Sequence, residues 1–101
     1  MSVANFTRDN FDKEIADGTV LVDFQTDSCV HCRRLAPLVE RLALRCGDVK
    51  FGKVNAGTER ELARKYGIIA VPTLILFRDG VEVKRSVGAV PEEKLTGLLK
   101  S

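Results

Sequence analysis

The hydrophobic residues of the chain switch between two spacings, one typical of buried strands and one typical of amphipathic helices. The clearest strand runs from Val20 to Phe24, where every residue except Asp23 is apolar. A continuous apolar run of this length is typical of a strand that is buried on both faces. The pattern therefore predicts a central strand that carries one acidic side chain into the interior.

A long amphipathic helix is predicted immediately after this strand. Asp27 and Ser28 are residue types that start helices, Gly47 is suited to end this one, and Pro37 is expected to kink it. Its apolar stripe recurs at spacings of three and four residues and consists of Leu35, Leu38, Leu42 and Cys46.

The remaining segments extend the alternation to the order β-α-β-α-β-α-β-β-α. Asp79-Gly80 is a hairpin signal that joins the last two strands. The five strands are predicted at Val3–Phe6, Val20–Phe24, Val49–Val54, Val71–Phe77 and Val81–Val87. The other helices are predicted after Thr7 as an N-cap, after Thr58 as an N-cap, and from Pro91 in a first turn. This order predicts an α/β protein with a mixed central sheet and helices on both faces.

Length and charge narrow the classes of function. The chain has 101 residues and a net charge of +2, so we expect one domain over residues 1–101, a monomer, and no attraction to nucleic acid. No run of 18 apolar residues predicts a membrane span, and the first residues lack the pattern of a secretory signal. Three cysteines are too few for a disulfide scaffold, so we expect a cytoplasmic protein.

The candidate chemistry is concentrated in Cys29-Val30-His31-Cys32, which lies between a buried strand and a helix. A cysteine at a helix N-terminus is close to unpaired amide groups and to the positive end of the helix dipole, and both favour the thiolate. The thiolate is the nucleophile of disulfide exchange. Cys29 is therefore the predicted attacking thiol, and Cys32, one helical turn further on, the resolving thiol.

Two alternatives concern the cysteines. The first is zinc binding, which needs four ligands in a closed site. Cys46 would lie about 21 Å along the same helix from Cys32 at ~1.5 Å per residue and cannot share an ion with it, so the second pair of ligands is missing. The second is that the pair is chemically inert. Cys46 itself falls on the apolar stripe and is expected to be a small buried hydrophobe, the alternative being a surface thiol that is open to oxidation.

Two polar side chains are candidates for assisting the cysteines. Asp23 is an acid in a core strand, where burial raises the pKa of a carboxyl group, so it could exchange a proton with Cys32; the alternative is a structural acid paired with Lys53. His31 can be positively charged near neutrality and would then stabilise the reduced cysteines. Arg33 and Arg34 extend the positive surface and are expected to be solvated, with some preference for acidic partners.

Together these residues resemble the thioredoxin family over essentially the whole chain. The motifs that carry the resemblance are Val22-Asp23-Phe24, the Cys29–Cys32 motif, Pro37, Lys53-Val54-Asn55, Tyr66-Gly67-Ile68, Val71-Pro72-Thr73, Leu76-Phe77-Arg78-Asp79-Gly80 and Val87-Gly88. The resemblance implies a five-stranded mixed sheet of order 1-3-2-4-5 flanked by four helices. It also implies that Lys53 neighbours the buried acid and that Pro72 is cis and faces the cysteines, whereas the sequence alone favours the commoner trans bond.

The resemblance further implies a function and its residues. The expected activity is reduction of protein disulfides through a Cys29–Cys32 dithiol cycle, without a cofactor, with electrons from a thioredoxin-reductase-like protein. Partners would contact Val71-Pro72 and Gly88-Ala89, together with Ser28 and Val30 beside the first cysteine.

This sequence departs from the family pattern around the cysteines. Ser28 replaces the usual Trp, and Val30-His31 replaces the usual Gly-Pro. A histidine at this place is similar to the protein disulfide isomerase domains. A more oxidising oxidase or isomerase therefore stays open as an alternative, as does a binding module that uses the fold without the chemistry.

Overall fold

The computed structural model describes residues 3–100. Strands and helices alternate in it in the order that the hydrophobic pattern predicts. The strands are β1 (Val3–Asn5), β2 (Thr19–Gln25), β3 (Val49–Asn55), β4 (Thr73–Arg78) and β5 (Val81–Val87). The helices are α1 (Phe11–Ile15), α2 (Val30–Arg45), α3 (Arg60–Lys65) and α4 (Glu92–Leu99).

The strands form one five-stranded sheet in the order β1-β3-β2-β4-β5. β3 pairs in parallel with both β1 and β2, while β4 pairs antiparallel with β2 and β5. The mixed sheet and its strand order are those implied by the family resemblance. Within residues 3–100, none of the helices combines the length and the apolar character needed to cross a bilayer.

Side chains alternate between the two faces of each strand, and this alternation produces two separate cores. The first is rich in aromatic residues and contains Phe6, Phe11, Phe24 and Phe77, with Tyr66 packed against it. The second is mostly aliphatic and joins the sheet to α2 and α4 through residues that include Leu21, Leu35, Leu42, Leu74, Leu95 and Leu98. We call them the aromatic core and the aliphatic core.

The helix starts differ from the predicted ones. α1 begins at Phe11 rather than directly after Thr7, because Thr7 to Asn10 form a turn in which the Thr7 N–H donates to Asn10 Oδ1 at 2.8 Å. α3 begins at Arg60, with Glu59 rather than Thr58 at its N-cap. In both cases the residue predicted as the cap belongs to the turn that precedes the helix.

β5 is exposed along most of its length. Val81, Val83 and Val87 are 63%, 42% and 54% exposed. The reason lies in the topology, since β5 is the edge strand of the sheet and has a neighbouring strand on only one side.

Candidate active site

The two cysteines of the motif lie at the carboxyl end of β2, in the loop that leads into α2. Cys29 is the N-cap of α2, which begins at Val30. The N-cap therefore lies one or two residues after Ser28 and Asp27, where the sequence predicted the helix start. Cys29 Sγ accepts a hydrogen bond from the Cys32 N–H at 3.1 Å. The sulfur thus satisfies one of the free amide groups at the helix N-terminus.

The two sulfur atoms differ in their access to solvent. Cys29 is half-buried, Cys32 is only 1% exposed, and neither forms a disulfide. A large disulfide substrate can therefore approach Cys29, while Cys32 lies behind it in the protein.

The Cys32 thiol is held in its protonated form. Burial raises the pKa of Cys32, and the hydrogen bond with Cys29 and the negative charges of Cys29 and Asp23 raise it further. A backbone hydrogen bond at Thr26 acts in the opposite direction. Cys32 thus needs a base before it can act as a nucleophile.

Asp23 has the properties of such a base. Its side chain is 3% exposed, and Oδ1 has no hydrogen-bond partner among the residues that the structure describes. Burial raises the pKa of Asp23 to about 7, although the positive charge of Lys53 lowers it. A carboxyl group that titrates near neutrality can accept and return a proton under ordinary conditions.

Sheet register explains why Asp23 and Lys53 are neighbours. They are directly paired between β2 and β3, and both share the strand parity of residues in the aliphatic core, Leu21 on β2 and Phe51 on β3. Asp23 therefore lies on the side of the sheet that α2 covers. Lys53 is half-buried, so its ammonium group moderates the carboxylate from the edge of the core.

The predicted partner-binding residues converge on Cys29 from distant parts of the chain. The Val71-Pro72 peptide bond is cis, as the resemblance implies. The Cys29 thiol donates a long hydrogen bond to the Val71 carbonyl oxygen, with an Sγ to O distance of 3.8 Å. The Gly88 N–H donates to the Pro72 carbonyl oxygen at 2.7 Å, which brings the end of β5 to the same place.

The remaining predicted residues line the accessible side of the motif. Ser28 and Ala89 are exposed, and Val30 is 52% exposed although it is apolar. His31 is also exposed, at the second position of α2. The loop before Pro72 adds another exposed apolar side chain, Ile69, which is 93% exposed.

The sequence reasoning missed a groove of about 330 Å³ beside the motif. Residues from α2 form one wall and residues from the loop before α4 form the other: His31, Arg34, Leu35 and Leu38 face Ala89 and Val90. The spacing of three and four residues on α2 could have identified the first wall. Only the tertiary fold brings the second wall, some fifty residues later in the chain, next to it.

Cys46 lies at the opposite end of α2 from the motif, as its C-cap. It is half-buried and packs against the aliphatic core. Its environment is thus intermediate between the buried hydrophobe and the surface thiol that the sequence left open. Within residues 3–100, no three His, Cys, Asp or Glu side chains are grouped closely enough to hold a metal ion.

Comparisons with known proteins agree with this geometry. The sequence model of the Thioredoxin family matches residues 2–101. The chain is 46% identical over 91 residues to thioredoxin from Chlamydia pneumoniae, which covers 90% of this chain and 89% of the relative. It is 37% identical over 100 residues to thioredoxin from Bacillus subtilis, covering 98% and 96% of the two chains.

A solved structure shows the same likeness in three dimensions. A mutant thioredoxin from Halobacterium salinarum superposes with a TM-score of 0.92 at 34% identity, covering 98% of this chain and 88% of the other. The fold, the adjacent cysteines and these relatives define the class of the protein as a thiol–disulfide oxidoreductase. The chain belongs to the thioredoxin family.

Proposed function

We propose that the protein reduces disulfide bonds in other proteins through a Cys29–Cys32 dithiol cycle. The observation that carries this proposal is the asymmetry of the pair. The accessible Cys29 sulfur accepts an N–H hydrogen bond at a helix N-terminus, while the Cys32 thiol is buried and its pKa is raised.

In the first step, the Cys29 thiolate attacks one sulfur of the substrate disulfide. A Cys29–substrate disulfide forms, the substrate's own disulfide breaks, and its second sulfur leaves as a thiolate that takes a proton from solvent. The half-buried position of Cys29 beside Val71 and Gly88 favours an extended substrate segment that lies along these residues.

In the second step, the Asp23 carboxylate accepts the proton of Cys32. The Cys32 thiolate then attacks Cys29 Sγ, the Cys29–Cys32 disulfide forms, and the remaining substrate sulfur leaves and is protonated by Asp23. Two electrons have passed from the dithiol to the substrate. A pKa of Asp23 of about 7 suits a group that must both accept and donate this proton.

The cycle needs a protein electron donor and no cofactor of its own. We propose a thioredoxin-reductase-like donor in the cytoplasm, with the protein acting as a monomer. Ser28, Val30, Val71, Pro72, Gly88 and Ala89 are the proposed substrate contacts, and His31, Lys53 and Pro72 are the proposed residues that tune the dithiol.

The direct test is to trap the first intermediate with C32S. Incubated with a peptide that contains one disulfide, this variant should accumulate a mixed disulfide through Cys29, visible as a mass increase that dithiothreitol removes. C29S should give no such adduct, and C46S should turn over like the wild type. If C32S forms no adduct, the pair is inert and the fold serves as a binding module.

A further inference from the structure

The first two turns of α2 carry an unusual set of charges. His31, Arg33 and Arg34 all lie there, and no acidic residue occupies the first turn. Helix N-termini favour negative side chains, because the helix dipole places a partial positive charge at that end. These cations therefore do not serve the stability of the helix, and their role is to be sought outside it.

Only one of the two arginines, Arg34, lines the groove beside the motif. His31, Arg34, Leu35 and Leu38 share one side of α2, since they are spaced by three and four residues, and all four line the groove. Arg33 does not line it. Among the lining residues, the buried Leu35 and the half-buried Leu38 and Val90 supply an apolar floor, while His31 and Arg34 are exposed at the rim.

The charge of the groove is of one sign. None of its lining residues is acidic. The nearest acid along the chain from the Ala89–Val90 wall, Glu92, has a carboxylate oxygen 3.9 Å from a guanidinium nitrogen of Arg41. A ligand that complements the groove must therefore bring its own negative charge and an apolar group.

The groove adjoins the proposed substrate contacts at Ala89. This residue lines its second wall and follows Gly88, whose N–H donates to the Pro72 carbonyl oxygen. Pro72 in turn follows Val71, whose carbonyl oxygen accepts from Cys29. A polypeptide bound along Val71 and Gly88 would therefore lie next to one wall of the groove.

We propose that this groove selects protein substrates that carry a carboxylate next to an apolar side chain close to the disulfide, with Arg34 as the specificity-determining residue. This inference rests on the proposed function, because it names the substrate class of that same site.

The test uses three synthetic peptides, each with one disulfide. The peptides are identical except for the residues that flank the disulfide. The flank is Leu-Asp-Asp, Leu-Ser-Ser or Leu-Lys-Lys, and the second-order rate constant of reduction is measured with the reduced protein at low salt. The wild type should reduce the acidic peptide about tenfold faster than the basic one, at about three- to fivefold for each favourable or unfavourable charge pair. The ratio should shrink as salt screens the charges.

Two variants locate the effect. R34E and R33E change the net charge equally and lie next to each other on α2, but only residue 34 lines the groove. R34E should lower the acidic-to-basic ratio to about one or below, because it replaces an attractive charge with a repulsive one. R33E should keep most of the preference. Both should fold, since a negative side chain near a helix N-terminus is favourable, and circular dichroism checks this.

The outcomes separate the two proposals. Equal rates for all three peptides, or equal losses in R34E and R33E, would overturn the groove as a selective site, while the reductase proposal would stand. If none of the peptides is reduced, the reductase proposal fails and the substrate preference fails with it.

Discussion

The two faces of the sheet differ in whether they bury a carboxyl group. On one face, the aromatic core packs Phe11 against Phe6, Phe24, Tyr66 and Phe77 with ring centroids 5.2 to 6.2 Å apart. The buried polar residue with the strand parity of this face, Thr73, donates its hydroxyl to the Ala70 carbonyl oxygen at 2.6 Å. The other face, with the aliphatic core, also holds Asp23, whose Oδ1 lacks a described hydrogen-bond partner.

This difference separates stability from chemistry. Burying a carboxyl group without a full set of partners is unfavourable, yet it is what brings the pKa of Asp23 to about 7. The aromatic core contains no carboxyl group and contributes packing alone. We therefore expect substitutions on the aromatic face to change stability and leave the dithiol unaffected, and substitutions around Asp23 to change both.

The largest expected effect is loss of the central aromatic ring. F11A should lower the free energy of unfolding by about 3 to 5 kcal/mol, because a buried Phe is lost and a cavity is left behind. Urea unfolding of the reduced protein measures this change. Where F11A folds too weakly to study, F11L should show a smaller loss of the same sign.

The control for this prediction is L44A, at a position on α2 that is 73% exposed, where a change within about 0.5 kcal/mol is expected. The reduction potential of F11L should equal that of the wild type. A loss below about 1 kcal/mol in F11A would contradict the central place of this ring in the aromatic core.

The second effect is the pH dependence caused by Asp23. Its pKa is higher in the folded protein, about 7, than the ~3.9 of an unfolded chain, so the folded state binds the extra proton between these values. Stability should therefore be greater near pH 4 and fall as the pH rises to 7. Over the whole titration, from below pH 4 to above pH 7, this group alone accounts for a loss of about 4 kcal/mol.

D23N removes the titration and isolates the effect. The difference in unfolding free energy between D23N and the wild type should grow in favour of D23N by about 4 kcal/mol from pH 4 to pH 8. D27N, which removes an exposed carboxylate, separates burial from a general loss of negative charge. D23N should also slow release of the mixed disulfide more than its formation. Equal slowing of both steps would mean that Asp23 is only structural.

The smallest effect concerns His31. The proposed tuning role is that a positive His31 imidazole stabilises the reduced form. H31P should then lower the reduction potential by about 30 mV, the equivalent of 1.4 kcal/mol for two electrons. Proline is tolerated in the first turn of a helix, where the N–H is free. H31N removes the charge without the proline ring, and an unchanged potential in both variants would exclude His31 as a tuning residue.

Much of the fold followed from the spacing of apolar residues. The run around Val22 predicted the central strand, and the stripe through Leu35 and Leu42 predicted α2, because burial on a sheet or a helix imposes a regular period. The helix starts were less accurate, since Thr7 and Thr58 are as suitable for the turn before a helix as for its cap. Exposure of β5 depends on its place at the sheet edge, which its own sequence does not contain.

In the candidate site too, local features could be predicted from the sequence and long-range contacts could not. Cys29, Cys32 and Asp23 were predicted as site residues because each is chemically unusual where it stands in the chain. Residues far apart in the chain were harder to join: the resemblance to a family placed Pro72 and Gly88 beside Cys29, and no sequence pattern placed Val90 opposite Arg34. Local spacing contains no information about such pairs, which depend on the crossing of β4, β5 and the loop to α4.

The most direct test of the proposed reductase function is the reduction potential of the Cys29–Cys32 pair, titrated in dithiothreitol buffers and read by the mass added on alkylation. We expect one reversible two-electron couple near the ~−270 mV typical of thioredoxin, as required of a reductant. A potential at or above ~−200 mV would contradict the reductive direction, and the absence of a reversible couple would contradict the redox function itself.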